Sequence, residues 1–164
     1  MQTNYSKEAA LGRVGGLADE KPPRDVVTGV AAAAIPFGLF LVRDTGGDDK
    51  VKVPTAAGDF AARGSLMGVA LATQAIESDP SVVPAEYPIG HPINVGKKAR
   101  VFVRPEDAVT PTSGVFVRHT AGAGESLGAF RTDADGTDAA DISAYARWMS
   151  SADAGELAVL EVDL

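Results

Sequence analysis

The chain has 164 residues, a length that suits one domain with room for an appendage. Its composition, 45% hydrophobic and 23% charged without cysteine, is that of a folded soluble protein and excludes wholesale disorder, disulfides, thiolate zinc sites and thiol nucleophiles. The formal net charge of -7, with no basic run longer than Lys97-Lys98, disfavours direct contact with nucleic acid.

The first 25 residues have an irregular pattern that favours an extended arm. Their large apolar side chains are few, namely Tyr5, Leu11, Val14 and Leu17, and several glycines lie between them. Each glycine weakens a helix by about 1 kcal/mol, and Pro22-Pro23 would end one. Such a segment cannot form a core alone, but spaced apolar side chains suit an arm that orders on a partner. The alternative is a frayed terminus or a first strand of the main domain.

Neither a signal peptide nor a membrane span is predicted. Residues 2–8 lack the basic-then-apolar pattern of a signal peptide, so we expect synthesis in the cytosol. The longest apolar stretch, residues 26–42, is interrupted by Thr28, Gly29, Pro36 and Gly38. A spanning helix needs about 20 continuous apolar residues, which this stretch does not supply.

From residue 26 onwards, short apolar runs alternate with turn residues, which is typical of an all-β sandwich or barrel with little helix. The predicted strands are residues 26–33, 38–43, 51–53, 66–73, 93–95, 100–104, 114–119, 127–131 and 157–162. We therefore divide the chain into an N-terminal arm, residues 1–25, and a β-rich body, residues 26–164. A long loop is expected at residues 77–92, which contain four prolines.

Two further features of the body concern strand faces and strand type. The alternation in residues 99–104 and 115–118 predicts strands with one face in water, and these two strands could pair around the loop between them. Residues 139–150 fit either a helix or a strand by their spacing, and we favour a strand at residues 144–148.

A search for catalytic patterns finds none. His91 and His119 have no second histidine at metal-ligand spacing, and ordinary surface or turn roles are expected for both. Residues 64–68 contain a serine between glycines but lack the spacing of a nucleophile elbow. The glycine-rich residues 12–16 follow no strand and lack the Lys and Ser/Thr of a phosphate loop. We therefore predict a protein that is not an enzyme and has no cofactor.

Two features have competing interpretations. Asp133, Asp135 and Asp138 place carboxylates at spacings that suit calcium, but Gly136 comes too early for an EF-hand loop, so a polar hairpin turn is favoured. Trp148, the only tryptophan, could anchor an interface, but core packing is the favoured interpretation.

The order and spacing of short motifs along nearly the whole chain resemble the structural cement, or capsid decoration, proteins of tailed bacteriophages. The motifs are residues 1–6, 15–19, 35–38, 67–70, 93–95, 100–103, 128–133, 146–148 and 155–161. The resemblance implies a β-rich body on the outer face of a capsid, commonly as a homotrimer at local three-fold positions. It also implies that the N-terminal segment reaches over neighbouring major capsid subunits, which assigns the contact role to Tyr5, Leu11, Val14 and Leu17.

Two alternatives stay open at this point. The first is a β module on a virion surface that binds a small ligand or a carbohydrate. The second is a hydrolase whose carboxylate pair is hidden among the many Asp and Glu residues. Neither is suggested by a motif.

Overall fold

The structure is a computed structural model and describes residues 12–18, 25–73 and 85–164. Strands form most of its regular structure. Strand accounts for 41% and helix for 5%, so the all-β prediction with little helix is confirmed. The strands are β1 (Asp25–Ala31), β2 (Ile35–Pro36), β3 (Phe40–Arg43), β4 (Lys50–Lys52), β5 (Leu66–Ala70), β6 (Glu86–Tyr87), β7 (Pro92–Val103), β8 (Phe116–Arg118), β9 (Phe130–Arg131), β10 (Ala139–Asp141), β11 (Ala146–Trp148) and β12 (Ala158–Asp163). Two short 3-10 turns, Ala57–Phe60 and Arg63–Ser65, lie between β4 and β5.

The largest sheet closes on itself. Its order is β1-β4-β3-β5-β7, and β1 also pairs with β7, so these five strands form a small barrel. Strand β7 is the seam of the structure, because its residues 92–98 pair with β1 and its residues 98–103 pair with β12. Strands β12 and β11 then extend the sheet beyond the barrel. Closure removes exposed strand edges, which would otherwise be sites for aggregation.

The described residues also form a second sheet, in the order β10-β8-β9, and a ribbon of β2 with β6. The pairing that we considered for residues 99–104 and 115–118 is wrong. The first of these segments pairs with β12, whereas β8 lies between β9 and β10. The first segment therefore pairs with a strand more than 50 residues later, whereas β8 pairs with the two strands that follow it in the chain.

The strands pack their side chains into two apolar clusters. Along β3, Phe40 and Val42 belong to one cluster and Leu41 to the other, as expected for side chains that alternate across a strand. Trp148 lies in the larger cluster at 1% exposure, and its Nε1 donates to the Gly114 carbonyl oxygen at 3.0 Å. The core-packing interpretation of Trp148 is therefore confirmed.

Some element boundaries differ from the sequence-based prediction. The predicted strands 93–95 and 100–104 are one continuous strand, β7. Residues 139–150 form β10, a turn and β11, so the preference for strand over helix is confirmed. Part of the predicted long loop lies outside the described residues, and β6 occupies Glu86–Tyr87 within it.

Gly68 allows β5 to approach β7 closely, and we expect Gly68→Ala to destabilise the barrel. Gly68 has φ of +126°, and a Cβ there would lie 2.8 Å from the carbonyl carbon of Gly96. Both the backbone conformation and the close approach oppose a side chain, so we expect a loss of more than about 1 kcal/mol in the free energy of unfolding. Urea denaturation measures this loss.

The matched control for this prediction is Gly58→Ala. A Cβ at Gly58 would meet no atom within 4 Å. We expect this variant to unfold at the wild-type urea concentration. If both variants are equally stable, the close approach of β5 to β7 does not constrain residue 68.

Candidate functional site

The described part of the predicted arm, residues 12–18, lies along the C-terminal half of β7. The Gly15 N–H donates to the Phe102 carbonyl at 2.7 Å, and the Phe102 N–H donates to the Gly16 carbonyl at 2.8 Å. The Ala18 N–H donates to the Arg100 carbonyl at 2.9 Å. These bonds attach the segment to the body as an additional partner of β7.

The glycine-rich sequence of this segment has a steric explanation. Gly15 has φ of +74°, and a Cβ there would lie 2.9 Å from the Ala72 nitrogen and from the Phe37 Cβ. Gly38 has φ of +79°, and a Cβ there would collide with Val14. The glycines therefore let the segment lie close to the body, a packing role that the motif search did not identify.

The four predicted contact residues of the arm have different places. Tyr5 and Leu11 lie outside the described residues. Val14 is half-buried beside Gly38. Leu17 forms a bridge with Val101 through its backbone and leaves 43% of its surface in solvent. Of the two described residues, Leu17 is the one that presents most apolar surface to a partner.

A cleft of about 1560 Å³ opens next to this segment. One part of its lining is apolar and includes Val14, Phe37 and Leu39. The other part is formed by charged side chains that come from β8, from β9 and from the loops around their sheet. The cleft is therefore amphipathic, with the predicted arm at one side and a charged network at the other.

Arg118 is the centre of the charged network. It is only 1% exposed, and its Nε donates to the two carboxylate oxygens of Glu106 at 3.0 and 2.9 Å. Its Nη1 lies 3.0 Å from a Glu125 oxygen, and its Nη2 donates to Asp135 at 2.9 Å. Burial alone would lower the pKa of Arg118, but the hydrogen bonds to Asp135 and Glu106 outweigh it and raise that pKa.

Arg131 continues the network. It is 7% exposed, and its Nη1 donates to Asp135 at 2.9 Å and to Glu106 at 3.3 Å. Its Nη2 donates to Asp133 at 2.8 Å. Burial opposes the charge of Arg131, but the hydrogen bond to Asp133 and the nearby carboxylates raise its pKa. The two guanidinium groups therefore hold several acidic loops together.

Two of the three candidate calcium ligands, Asp133 and Asp135, take part in this network. Asp133 and Asp135 both accept hydrogen bonds from arginine, as described above. Asp135 and Gly136 have φ of +44° and +69°, which places them in a tight turn. The turn connects β9 with β10, but β8 lies between those strands, so it is not a hairpin turn. Among the described residues, no group of three His, Asp or Glu side chains is arranged to hold a metal ion.

The two histidines differ in exposure. His91 lies in an exposed turn, as predicted. His119 follows β8 and is 5% exposed, with its ring centroid 6.1 Å from that of Phe60. His119 thus lies in a bend, as one of the two predicted roles has it, but it is not on the surface, because its side chain turns inwards after β8.

Sequence reasoning also missed the burial of Arg118. The alternation in residues 115–118 placed this arginine on a wet face, but its carboxylate partners cover it. Those partners come from three separate loops. The sequence indicates such an arrangement only through its excess of acidic residues, 22 against 15 basic residues, which makes carboxylate partners for an arginine plentiful. A pattern along one strand cannot show which distant loops will cover it.

Glu161 is the centre of a second cluster of ion pairs, and this cluster predicts that the fold is less stable in acid. It lies opposite Arg100 on β7 and Arg147 on β11, with Nε to carboxylate distances of 2.7 and 2.8 Å. The hydrogen bond from Arg100, aided by Arg147, lowers the pKa of Glu161 below its ordinary 4.5. As pH falls, Glu161 binds a proton in the unfolded chain before it does so in the folded protein. The stabilisation by its ion pairs is therefore complete above the pKa of Glu161 in the unfolded chain and is lost as pH falls through its pKa in the folded protein.

We therefore expect the melting temperature to fall as pH decreases below about 4.5, with less fall in Glu161→Gln. Cross-strand ion pairs of this kind contribute about 1 kcal/mol or less, so the variant should remain folded at neutral pH. Differential scanning fluorimetry from pH 6 to pH 3 measures both curves. Parallel curves for the two proteins would show that Glu161 does not contribute to the acid response.

Comparisons with known proteins point to one class. The family model described as "Structural cement protein (E217 gp24/Pam3 gp6)" matches residues 1–163. A chain in the solved structure described as "The capsid of Myoviridae Phage XM1" is similar in fold, with a TM-score of 0.70 and 16% sequence identity over 99% of this chain and 97% of that chain. A search of curated proteins gave no match. In the described residues, no helix has the length and hydropathy needed to cross a membrane.

Proposed function

Because this chain belongs to the family of phage structural cement proteins, we propose that it binds the outer surface of an assembled capsid and bridges neighbouring subunits of the major capsid protein. The family match over residues 1–163 is the observation that carries this proposal. The family is structural, and a structural protein of a capsid is a component of the virion. The outer surface and the bridging contacts are the parts that we propose here.

Binding that prefers the assembled shell would stabilise it by linkage. A protein that binds assembled subunits better than free subunits shifts the equilibrium towards the shell in proportion to its occupancy. A bridge between two subunits has this preference, because the two halves of its site come together only in the assembled shell. No catalytic step is needed for this function.

We further propose that the protein acts as a homotrimer whose arms, residues 1–25, contact the shell, while residues 26–164 form the body. Tyr5, Leu11, Val14 and Leu17 are the proposed contact residues. Each arm offers little apolar area, but three arms in one trimer bind at a high effective concentration once the first is attached. The exposed side chain of Leu17 supports this role, because the rest of its segment is held against β7.

Co-sedimentation with capsids of the same phage tests the proposal. Capsids stripped of this protein should recover it in the pellet, and their rupture temperature should rise with occupancy. Bovine serum albumin at the same concentration serves as the control for trapping. Failure of the folded protein to bind any form of its own capsid would overturn the proposal.

One observation favours a second candidate function, the binding of a small ligand or carbohydrate at a virion surface. The cleft of about 1560 Å³ combines apolar and charged walls, as many ligand sites do. A glycan array probed with the purified protein tests this function. Glycan binding without affinity for capsids would favour it over the cement function.

A further inference from the structure

An uncharged tip, residues 32–34 and 88–92, projects from the ribbon of β2 and β6. Its most exposed side chain is Ile89, which has 70% of its surface in solvent. Ala33, Ala34 and all of residues 88–92 are exposed as well. No side chain of the described residues covers Ile89, and exposed aliphatic residues grouped at one turn suit a contact surface.

The tip lies within two stretches of the chain that carry no formal charge. Residues 26–42 and residues 87–96 contain no Asp, Glu, Lys or Arg. The nearest charged residue in the chain is Glu86 on β6, two residues before Pro88, and Lys50 lies beside Val30 because β4 pairs with the end of β1. An apolar centre with a charged rim is the usual anatomy of a protein interface.

The tip is also held rigidly. The Gly90 N–H donates to the Ala31 carbonyl at 2.8 Å, and the Ala31 N–H donates to the His91 carbonyl at 3.0 Å. Behind the tip, Tyr87 is 1% exposed and donates its hydroxyl to the Leu71 carbonyl at 2.7 Å. A surface that is already ordered loses little conformational entropy on binding.

We propose that the uncharged tip is the surface through which three copies of this chain meet around their three-fold axis. This inference rests on the proposed homotrimer and assigns its contact. At a symmetry axis each side chain faces its own copies, so a charged residue there would meet the same charge. Ile89 and the small side chains of Ala33 and Ala34 meet this requirement.

The charge of the whole protein favours another copy over the capsid as the occupant of the tip. Copies that each carry a formal charge of -7 repel one another, so their contact belongs on an uncharged surface. A capsid subunit has no such restriction, because it can offer basic groups to the acidic surface of this protein. The uncharged tip is therefore better matched to self-association.

The lack of cysteine in the chain makes a direct test possible. Ile89→Cys introduces a single thiol, and mild oxidation or a short bismaleimide joins two such thiols if they are close together. On a non-reducing gel we expect up to about two thirds of the chains as covalent dimers, because the third copy of each trimer has no partner. Met149→Cys is the control, since Met149 is 37% exposed and follows β11, outside the barrel.

The reaction is run on the free protein and on protein bound to capsids. Dimers from Ile89→Cys but not from Met149→Cys support the tip as the trimer contact. If Ile89→Cys gives no dimers in either state, the inference is overturned. If the protein nevertheless binds capsids, the cement function stands. If the wild-type protein does not bind capsids, the proposed function is contradicted, but dimers from Ile89→Cys in the free protein still support the tip as the contact between copies.

Ile89→Asp gives a second readout in solution. The variant should remain folded by circular dichroism, because the side chain of Ile89 is mostly exposed within one chain. Sedimentation velocity should show trimers for the wild type and monomers for the variant. A variant that loses capsid binding but keeps the oligomeric state of the wild type would show that the tip contacts the capsid, which contradicts the inference.

Discussion

A variant that lacks residues 1–11 is expected to remain folded and to lose capsid binding by about two orders of magnitude or more. The body should keep its stability because residues 12–18, which hydrogen-bond to Phe102 and Arg100, are still present. Binding should fall steeply because three arms are lost from each trimer at once, together with their effective concentration. A co-sedimentation titration against stripped capsids measures the change, and circular dichroism monitors the fold.

Two comparison variants separate binding from folding. A deletion of residues 1–24 also removes the segment along β7, so we expect it to lower the melting temperature as well as binding. Leu17→Asp keeps every backbone hydrogen bond of the segment but places a charge at its exposed side chain, and we expect weaker binding at unchanged stability. Capsid binding at wild-type strength after removal of residues 1–11 would show that these residues are not the contact.

Replacement of Arg118 by Met is expected to destabilise the body by about 3 kcal/mol, at the lower end of the range for breaking a buried ion pair. The methionine fills part of the space, but it removes the cation beside Glu125 and leaves Glu106 and Asp135 with Arg131 alone. These carboxylates retain some contact with water, which is why we expect the lower end of the range. Urea denaturation at pH 7 measures the loss.

Two further variants test whether the charge or the geometry of Arg118 matters. Arg118→Lys keeps the charge but cannot reach three carboxylates with one ammonium group, so it should recover only part of the loss. Glu125→Gln removes one partner that is 35% exposed and should cost less than about 1 kcal/mol. A loss below about 1 kcal/mol for Arg118→Met would show that the network contributes no more than a surface ion pair.

The sequence was sufficient to predict most of the longer strands, but it did not predict the short strands β2, β6 and β10 or the partners of the strands. The alternation in residues 99–104 correctly places Val101 and Val103 in the core, because this pattern depends only on the geometry of one strand. It cannot reveal that β12, more than 50 residues later, pairs with the same segment. The break that we expected between residues 95 and 100 is absent because β1 and β12 meet at Lys98 and continue the pairing.

The sequence predicted only part of the candidate site, because the rest of the site depends on contacts between distant segments. The family resemblance led to the arm, and Leu17 is exposed as a contact residue would be. The cleft and its arginines were not predicted, since Arg118 and Arg131 acquire their environment from loops that are distant in the sequence. Ile89 escaped notice because an apolar residue among four prolines and a glycine has the pattern of a loop, whatever its exposure.

The position of residues 12–18 on β7 has a mechanical consequence. This segment and β12 both run antiparallel to β7 and bond to the same half of it, residues 98–103. A pull along the axis of β7 on residue 12 would load the hydrogen bonds at Phe102 and Arg100 in shear, so that these bonds would have to break together. Force in that direction would be carried into β7, the strand that joins the barrel to β12, without separating the bonds one at a time.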